Sequence, residues 1–334
     1  MSPLISLTMI ALPVLTLVGN LVGGPLTWAF PFVAFGLVPL AELFMRAPPT
    51  PPRNEVAPRW AIAGGDVAIY LLVGITWAVV AALVWRHGAY AHTWELVGAT
   101  FSTGLVCGAV GINLGHELGH RSGKVDRFLA RVSLLSSLYV HFFIEHNRGH
   151  HANVGTRGDP ASARRGETVY GFWVRSIVGS YRSAWRLGPK EMVRYHLVEA
   201  AILAGIFALG GAAGLVLFLI AALVGVLLLE TVNYIEHYGL AREQLADGKY
   251  ERIGHAHSWS SDNPVSRVLL FDLTRHADHH AHPGRRWSAL RHVDDSPELP
   301  TGYPALILLS LAPPLWFGVM HAQLEKEQAR LATR

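Results

Sequence analysis

Long runs of apolar residues, separated by short polar segments, make up most of this 334-residue chain. A helix needs roughly 17 to 25 mostly apolar residues to cross the hydrocarbon core of a bilayer. Six stretches have that length and composition: residues 4–22, 26–46, 60–85, 93–115, 197–213 and 215–235. The pattern therefore predicts an all-α integral membrane protein with about six transmembrane helices.

A glycine pair separates the last two predicted spans. Gly210 and Gly211 lie where residues 197–213 give way to residues 215–235, with no polar connection between them. Two spans joined so closely must reverse direction within a few residues, as neighbouring antiparallel helices do. We expect them to form a tight helical hairpin.

The composition supports a membrane location, because 51% of the residues are apolar and 16% are charged, whereas soluble domains carry about 25% charged residues. The net charge of +4 comes without a long Lys/Arg tract or a nucleic-acid-binding motif, so we expect no nucleic acid partner. The single cysteine, Cys107, excludes disulfides within the chain, thiolate zinc sites and iron–sulfur centres.

Basic residues are distributed unevenly between the connections. The turn at residues 23–25 has none, whereas several follow the second and fourth spans: Arg46, Arg53, Arg59, Arg121, Lys124, Arg127 and Arg131. Because cytoplasmic connections are enriched in Lys and Arg, the amino terminus is predicted to lie in the cytoplasm. We therefore expect a single integral-membrane domain, residues 1–334, whose segments 116–195 and 236–302 face the cytoplasm.

Nine of the 18 histidines fall in four short clusters, each at or near the end of an apolar stretch. Residues four apart share one face of a helix, and three pairs have this spacing: His116 with His120, His146 with His150, and His276 with His280. The full set is His116, His120, His146, His150, His151, His237, His276, His279 and His280. Nine imidazoles are more than one ion accepts, so the clusters predict a site for two metal ions.

Imidazole binds zinc, copper, nickel and iron, so the ligand type alone leaves the element open. The lack of thiolates and the surplus of histidines disfavour a structural zinc site, which closes at four ligands. A redox-active iron pair with open positions is the favoured interpretation. Nearby polar residues are candidates for orienting the ligating imidazoles: Glu117, Glu145, Glu236, Asp159, Asp278, His257 and His282.

Two further apolar stretches affect the count of spans. If residues 128–145 crossed the membrane completely, His146 would lie a membrane thickness away from His116, too far to share a site. We therefore expect a short buried or re-entrant helix there. Residues 303–321 contain Pro313 and Pro314, and we expect this stretch to be interfacial instead of spanning.

Four segments that carry these histidines resemble the integral-membrane di-iron alkane 1-monooxygenases, also called alkane omega-hydroxylases. The segments are NLGHELGHRSGKVDRFLA from Asn113, HFFIEHNRGHHANVGTRGDPASAR from His141, NYIEHYGL from Asn233 and HSWSSDNPVSRVLLFDLTRHADHHAHP from His257. The resemblance implies that all nine clustered histidines hold two non-haem irons. It also implies a multi-pass protein of the bacterial inner membrane, with its active site on the cytoplasmic side.

The same resemblance implies a reaction. The terminal methyl group of medium- to long-chain n-alkanes would be hydroxylated to a primary alcohol, with O₂ as co-substrate. Electrons would come from rubredoxin, reduced by rubredoxin reductase. A rubredoxin needs four cysteines and this chain has one, so the donor would be a separate acidic protein. We expect it to dock on the arginines near the clusters: Arg148, Arg157, Arg164, Arg165, Arg275, Arg285, Arg286 and Arg291.

Other functions remain open from the sequence. A closely related enzyme would hydroxylate the methyl group of an alkyl-aromatic or terpene substrate. The segment HELGH also satisfies the H-E-x-x-H pattern of a zinc protease, with Glu117 as general base. That interpretation uses two histidines and leaves seven unexplained. A histidine-rich metal carrier without enzymatic activity is a further alternative.

Overall fold

The computed structural model describes residues 3–45 and 59–333. Arg46 and Arg53, which contributed to the predicted orientation, and the last residue of the span predicted at 26–46 lie outside these ranges. Within these ranges every regular secondary-structure element is a helix, and β-type pairing is limited to two isolated bridges. The prediction of an all-α fold is confirmed.

The helices are joined by connections of very different lengths. Their bounds are α1 Pro3–Val22, α2 Gly24–Phe44, α3 Arg59–Arg86, α4 Thr93–Gly119, α5 Lys124–Leu134, α6 142–153, α7 Val169–Leu187, α8 Pro189–His237, α9 Pro264–Leu269, α10 His276–Ala281, α11 Tyr303–Ser310 and α12 Pro313–Ala332. The longest connections lie between α8 and α9 and between α10 and α11. Short 3-10 turns occur at His87–Ala89, Leu135–Ser137, His255–His257 and Trp287–Ala289. Wider π turns interrupt α2 at Val33–Leu37, α4 at Cys107–Ile112 and α6 at His146–His150.

Within the described residues, four helices are long and apolar enough to cross a membrane. They are Gly24–Phe44, Gly65–Ala89, Thr93–Gly119 and Pro189–His237, and the apolar helix Met9–Val22 is shorter. The chain is therefore a multi-pass membrane protein. Up to Phe44 in the second of them, all six predicted stretches are helical, but the exact number of crossings stays a prediction because α8 contains two of those stretches.

The break in α8 lies at Gly211, whose backbone is non-helical with a φ of 60°. The two arms of α8, before and after this break, both contact the short segment 131–137. Arg131 Nε donates to Tyr195 Oη on the first arm at 3.1 Å, and Gly225 on the second arm lies against Ser137. In a straight helix Tyr195 and Gly225 would be about 45 Å apart. The seven residues from Arg131 to Ser137 span at most about 20 Å. The predicted hairpin is thus present.

The two additional apolar stretches do not form single long helices. Residues 128–145 contain the end of α5, a 3-10 turn, Leu138 with a positive φ of 51° and the start of α6. Most of their apolar side chains are buried, as expected for a short buried element. The stretch 303–321 is divided into α11 and α12 before Pro313.

Backbone contacts separate the chain into two compact units. Unit 1 comprises Met1–Leu37, Ala57–Ile144 and Ala184–Leu229, and unit 2 comprises Val38–Val56, Glu145–Ser183 and Glu230–Arg334. His116 and His120 belong to unit 1, and the other seven clustered histidines belong to unit 2.

Glycines allow two long helices of unit 1 to approach closely. A β-carbon added at Gly104 on α4 would lie 2.6 Å from Val224 Cβ and 2.7 Å from the Ala221 carbonyl oxygen on α8. One added at Gly108 would lie 2.7 Å from the Gly225 carbonyl oxygen. Small residues at such crossings let helix backbones pack tightly in membrane proteins. The middle of α4 is therefore packed closely against the second arm of α8.

An aromatic core holds the histidine-bearing part of unit 2 together. Tyr234, Tyr238, Trp259 and Trp316 are completely buried in one cluster. Trp259 Nε1 donates to the Tyr238 carbonyl oxygen at 2.9 Å, and the rings of Tyr234 and Trp316 are 5.1 Å apart. Because His237 lies between two of these tyrosines in sequence, the core fixes the helix turn that carries it.

Candidate metal centre

The π turn in α6 decides how its three histidines are distributed. A π turn has about one more residue than an α turn and is frequent at functional sites. His146 and His151, five residues apart, therefore face the same direction, and their Nε2 atoms are 3.0 Å apart. His150 points to a different set. The predicted pairing of His146 with His150 at the i, i+4 spacing is wrong.

The first set of imidazoles consists of His150, His237, His276 and His280. Their candidate ligand atoms all lie within 4.8 Å of one another, although the residues come from α6, α8 and α10. The Nε2 atoms are 3.3 Å apart between His150 and His280, 3.2 Å between His237 and His276, and 2.9 Å between His276 and His280. Each residue is 3% exposed or less.

These separations match the ligand shell of one ion. Two imidazole nitrogens bound at about 2.1 Å, with an angle between 90° and 110° at the metal, are roughly 3 Å apart. Burial, followed by the neighbouring His276, lowers the pKa of His280 well below its ordinary value. A neutral imidazole keeps the lone pair that a metal needs. The donor set therefore fits a metal ion.

A second set in unit 2 consists of His146, His151 and His279. Their candidate ligand atoms also lie within 4.8 Å of one another, and the rings of His151 and His279 are 5.0 Å apart. In unit 1, His116 and His120 lie at the end of α4 with ring centroids 5.0 Å apart. The nine predicted ligands are thus placed as two groups in unit 2 and one pair in unit 1.

Asp159 orients one imidazole of the first set. Its Oδ2 accepts hydrogen bonds from His150 Nδ1 at 2.9 Å and from Ser162 Oγ at 2.6 Å, and its Oδ1 accepts one from the Ala161 amide at 3.1 Å. Burial alone would raise the pKa of Asp159, but His150 and Ser162 lower it below its ordinary value. The proton held on His150 Nδ1 leaves Nε2 free to face His280.

Glu236 lies on the inner side of the first set. Its Oε2 is 3.3 Å from His276 Nε2, the same nitrogen that faces His237 and His280. Its Oε1 accepts a hydrogen bond from the hydroxyl of Tyr303 at 3.1 Å. The carboxylate therefore approaches the metal-facing nitrogen of His276 and not the back of a ring. Sequence reasoning missed Tyr303; its signal was the GYP segment that begins α11.

Asp278 differs from its predicted role of supporting a ligating imidazole. Among the described residues, its carboxylate accepts hydrogen bonds from Arg285 Nη1 to both oxygens at 2.5 Å, from the Arg291 amide at 2.8 Å and from His282 Nδ1 at 3.2 Å. It therefore fastens residues 282–291 to α10. His282 helps to hold the same loop through its hydrogen bond to Asp278.

The remaining candidate supporting residues have other partners. His257 Nε2 donates to Glu251 Oε1 at 3.0 Å, while the backbone of His257 hydrogen-bonds His237. In unit 1, Glu117 Oε1 accepts from Arg121 Nη2 at 2.9 Å in a buried ion pair. Burial raises the pKa of Glu145 to about 7, and this side chain packs beside the π turn.

Exposure divides the predicted docking arginines. Arg275 is only 6% exposed, and its guanidinium donates to Asp262 at 2.7 Å and to the Leu290 carbonyl oxygen at 2.8 Å. It is internal and cannot contribute to a docking surface, so this prediction is wrong. Arg285 is half-buried on Asp278. The exposed arginines are Arg148, Arg157, Arg164, Arg165, Arg286 and Arg291.

The chain is similar to known proteins over most of its length. The fatty acid desaturase family matches residues 91–310. Alkane 1-monooxygenase 1 of Pseudomonas aeruginosa is 38% identical over 89% of this chain and 83% of that protein. An alkane 1-monooxygenase of Pseudomonas putida is 38% identical over 86% of this chain and 75% of its own length.

A more distant relative is the xylene/toluene monooxygenase hydroxylase component XylM of Pseudomonas putida, 26% identical over 80% of this chain and 74% of that protein. The matches to alkane 1-monooxygenases cover nearly the whole chain at much higher identity, which confirms the resemblance carried by the histidine segments. The chain therefore belongs to the fatty acid desaturase family and, within it, to the alkane 1-monooxygenases.

Proposed function

We propose that this protein is a membrane-bound monooxygenase that hydroxylates the terminal methyl of medium- to long-chain n-alkanes to primary alcohols with O₂. The observation that carries the proposal is the buried convergence of His150, His237, His276 and His280 in a chain of this family. Saturated hydrocarbons have no functional group to polarise, so the enzyme must hold a redox-active metal. An all-imidazole site suits that requirement.

The proposed cofactor is a pair of non-haem irons, one of them in the set formed by His150, His237, His276 and His280. We propose that His116 and His120 join His146, His151 and His279 to hold the other, because the spacing of their motif and the family membership call for it. Bound ferrous ions would supply electrons and open coordination positions for activating O₂ toward a C–H bond. We propose that the whole chain acts as one hydroxylase domain.

The protein's own groups would control protons around the irons. Asp159 keeps the proton of His150 on Nδ1, so that Nε2 remains a ligand. Tyr303 donates to one oxygen of Glu236 and directs the other toward His276. Burial of the imidazoles excludes bulk water, which strengthens these hydrogen bonds and limits unproductive loss of oxidising equivalents.

The bilayer would serve as the substrate reservoir. Burial of one CH₂ group gains about 0.8 kcal/mol, so an eight-carbon alkane prefers hydrocarbon over water by roughly 6 kcal/mol. A terminal C–H bond is stronger than an internal one, so terminal selectivity must come from how the protein positions the chain end. We place the enzyme in the bacterial inner membrane with the site on the cytoplasmic side.

We propose that electrons arrive from a separate rubredoxin reduced by rubredoxin reductase. The exposed arginines Arg148, Arg157, Arg164, Arg165, Arg286 and Arg291 would dock its acidic surface. Charge reversal at Arg157 and Arg164, both exposed, should then lower turnover at limiting rubredoxin and leave the maximal rate unchanged, because exposed charges act mainly on association. Turnover that is insensitive to salt and to these changes would contradict this docking surface.

The decisive experiment supplies the purified, iron-loaded protein with rubredoxin, reductase, NADH and a series of n-alkanes. We expect 1-alkanols by gas chromatography and two irons per chain by metal analysis. A matched series of toluene and xylenes tests the second candidate, methyl hydroxylation of alkyl-aromatics, which the likeness to XylM favours. Absence of alcohols from both series, with two irons bound, would refute the proposed activity.

A zinc protease is disfavoured by the surroundings of Glu117. A general base must be available to a water molecule, whereas this carboxylate is buried and accepts hydrogen bonds from Arg121 Nε and Nη2. Activity measured with Glu117→Gln separates the functions, because a protease would lose all activity and a hydroxylase would be impaired at most.

A further inference from the structure

The part of helix α7 that belongs to unit 2 carries an exposed apolar stripe. Tyr170, Val174, Val178 and Tyr181 follow one another at intervals of four, four and three residues, which places them on one face of the helix. All four are exposed, and Val174 is 68% exposed. The buried residue Phe172 lies on the opposite face. The stripe is therefore the outer surface of an amphipathic helix.

Helices α11 and α12 extend this surface. The large exposed apolar residues of these helices and of the turn between them are Leu308, Leu311, Leu315 and Val319, of which Leu315 is 63% exposed. The hydroxyl of Tyr170 donates to the Leu311 carbonyl oxygen at 2.7 Å, so the two groups adjoin. We call these eight residues the α7–α12 apolar patch. Large apolar patches of this kind on a protein mark a surface that is covered by a partner or a membrane.

The sequence after the stripe indicates what covers it. Exposed basic side chains follow directly, at Arg182, Arg186, Lys190 and Arg194. Glu191 is the single acidic residue in the same segment. Helix α7 ends at Leu187, and Pro189 begins a helix that is long and apolar enough to cross a membrane. Chain connectivity therefore keeps the end of α7 within a few residues of the bilayer.

We infer that the α7–α12 apolar patch rests in the boundary between headgroups and acyl chains of one leaflet, with the basic residues after it on anionic headgroups. An amphipathic helix with basic and aromatic residues is suited to that position. A second copy of the chain would bring two like-charged basic segments together, which disfavours a dimer. The inference agrees with the interfacial position predicted for residues 303–321 and extends that position to α7. It does not depend on the proposed reaction.

The test uses the full-length protein with one spin label at a time and measures how deeply each label lies in the bilayer. The only native cysteine, Cys107, is completely buried, so a cysteine introduced at Val174 or Leu315 can be labelled selectively. The labelled proteins are placed in phosphatidylcholine nanodiscs with or without phosphatidylglycerol. Collision rates are compared for O₂, which concentrates in lipid, and a nickel chelate, which stays in water. Lys249→Cys, at a side chain that is 81% exposed, is the aqueous control.

We expect O₂ collisions to exceed nickel collisions several-fold at Val174→Cys and Leu315→Cys, and the reverse at Lys249→Cys. Phosphatidylglycerol should deepen the first two labels, and Arg182→Gln with Arg186→Gln should remove that dependence. Labels on the patch that behave like the control would overturn the inference. Dipolar coupling between labels on two chains would also overturn it, because a second copy would then cover the patch.

Discussion

Replacing Asp159 with asparagine tests how the protein fixes the first metal set. The carboxylate accepts three hydrogen bonds, from His150 Nδ1, Ser162 Oγ and the Ala161 amide. Asparagine retains a carbonyl oxygen that can accept from the Ala161 backbone amide. It presents either an NH₂ group or a weaker, neutral acceptor to His150. Loss of the anionic acceptor allows the imidazole proton to move to Nε2, where it blocks metal binding.

The expected loss follows from this geometry. Substitution of a residue that orients a metal ligand costs about 10- to 100-fold in metal affinity, which corresponds to about 1.4 to 2.8 kcal/mol. Because Asp159 is buried and bonds the ligand directly, we expect a value near the upper end. Ser162→Ala removes two neighbouring hydrogen bonds, one to Asp159 and one from the Gly155 amide, each worth about 1 kcal/mol. It leaves the anionic acceptor of His150 in place and should have a smaller effect on iron affinity.

The assay is iron retention against graded concentrations of a chelator, with iron per chain determined by elemental analysis. Circular dichroism and gel filtration verify that each variant is folded. Asp247→Asn, at an exposed side chain paired with Lys249, is the matched control and should bind iron as the unmodified protein does. If Asp159→Asn held iron within twofold of the unmodified protein, Asp159 would not orient a ligand.

Three further predictions concern other contacts. Tyr303→Phe should preserve the fold but lower iron retention or turnover several-fold, measured by elemental analysis and product formation, because the hydrogen bond that aims the neighbouring carboxylate is lost. Gly104→Ala should destabilise the protein by about 1 to 3 kcal/mol through overpacking, seen as earlier thermal aggregation in detergent, whereas Gly74→Ala, which has open space around it, should not. Burial would raise the pKa of Asp262, but His292 and Arg275 lower it to about 2, and Asp262 in turn raises the pKa of His292. The Asp262–His292 pair therefore stabilises the fold fully between the ordinary pKa of Asp, 3.8, and that of His, 6.5, and less below and above that window. The melting temperatures of Asp262→Asn and the unmodified protein should differ most within this window. A difference that does not change with pH would contradict the ion pair.

Local sequence was sufficient for much of the fold because helix formation in an apolar segment depends on length and composition. The six predicted stretches are all helical, and the break between the last two falls at Gly211, as the glycine pair indicated. A buried or re-entrant element was also expected at 128–145, and that stretch is broken at Leu138. The count of crossings could not be read in the same way, since helix length does not show where a bilayer lies.

The errors in the site arose where the outcome depended on contacts distant in sequence or on a local change of helix geometry. The ligand atom of His146 is grouped with that of His151, and that of His150 belongs to a different set, because the turn between them is of the π type, which no residue pattern marks. Arg275 was assigned to the surface by its charge. It is buried because Asp262 accepts its guanidinium hydrogen bond.

The sequence by itself determined the helical membrane architecture, the clustered histidines and the family. These depend on residue type and short-range spacing, which are properties of a linear chain. Tertiary structure alone decided which imidazoles lie close enough together to hold an ion, which carboxylate bonds His150, and that Glu236 and Tyr303 lie beside this set. Those relations are distances between groups up to 130 residues apart, as for His150 and His280, and only packing of the folded chain sets such distances.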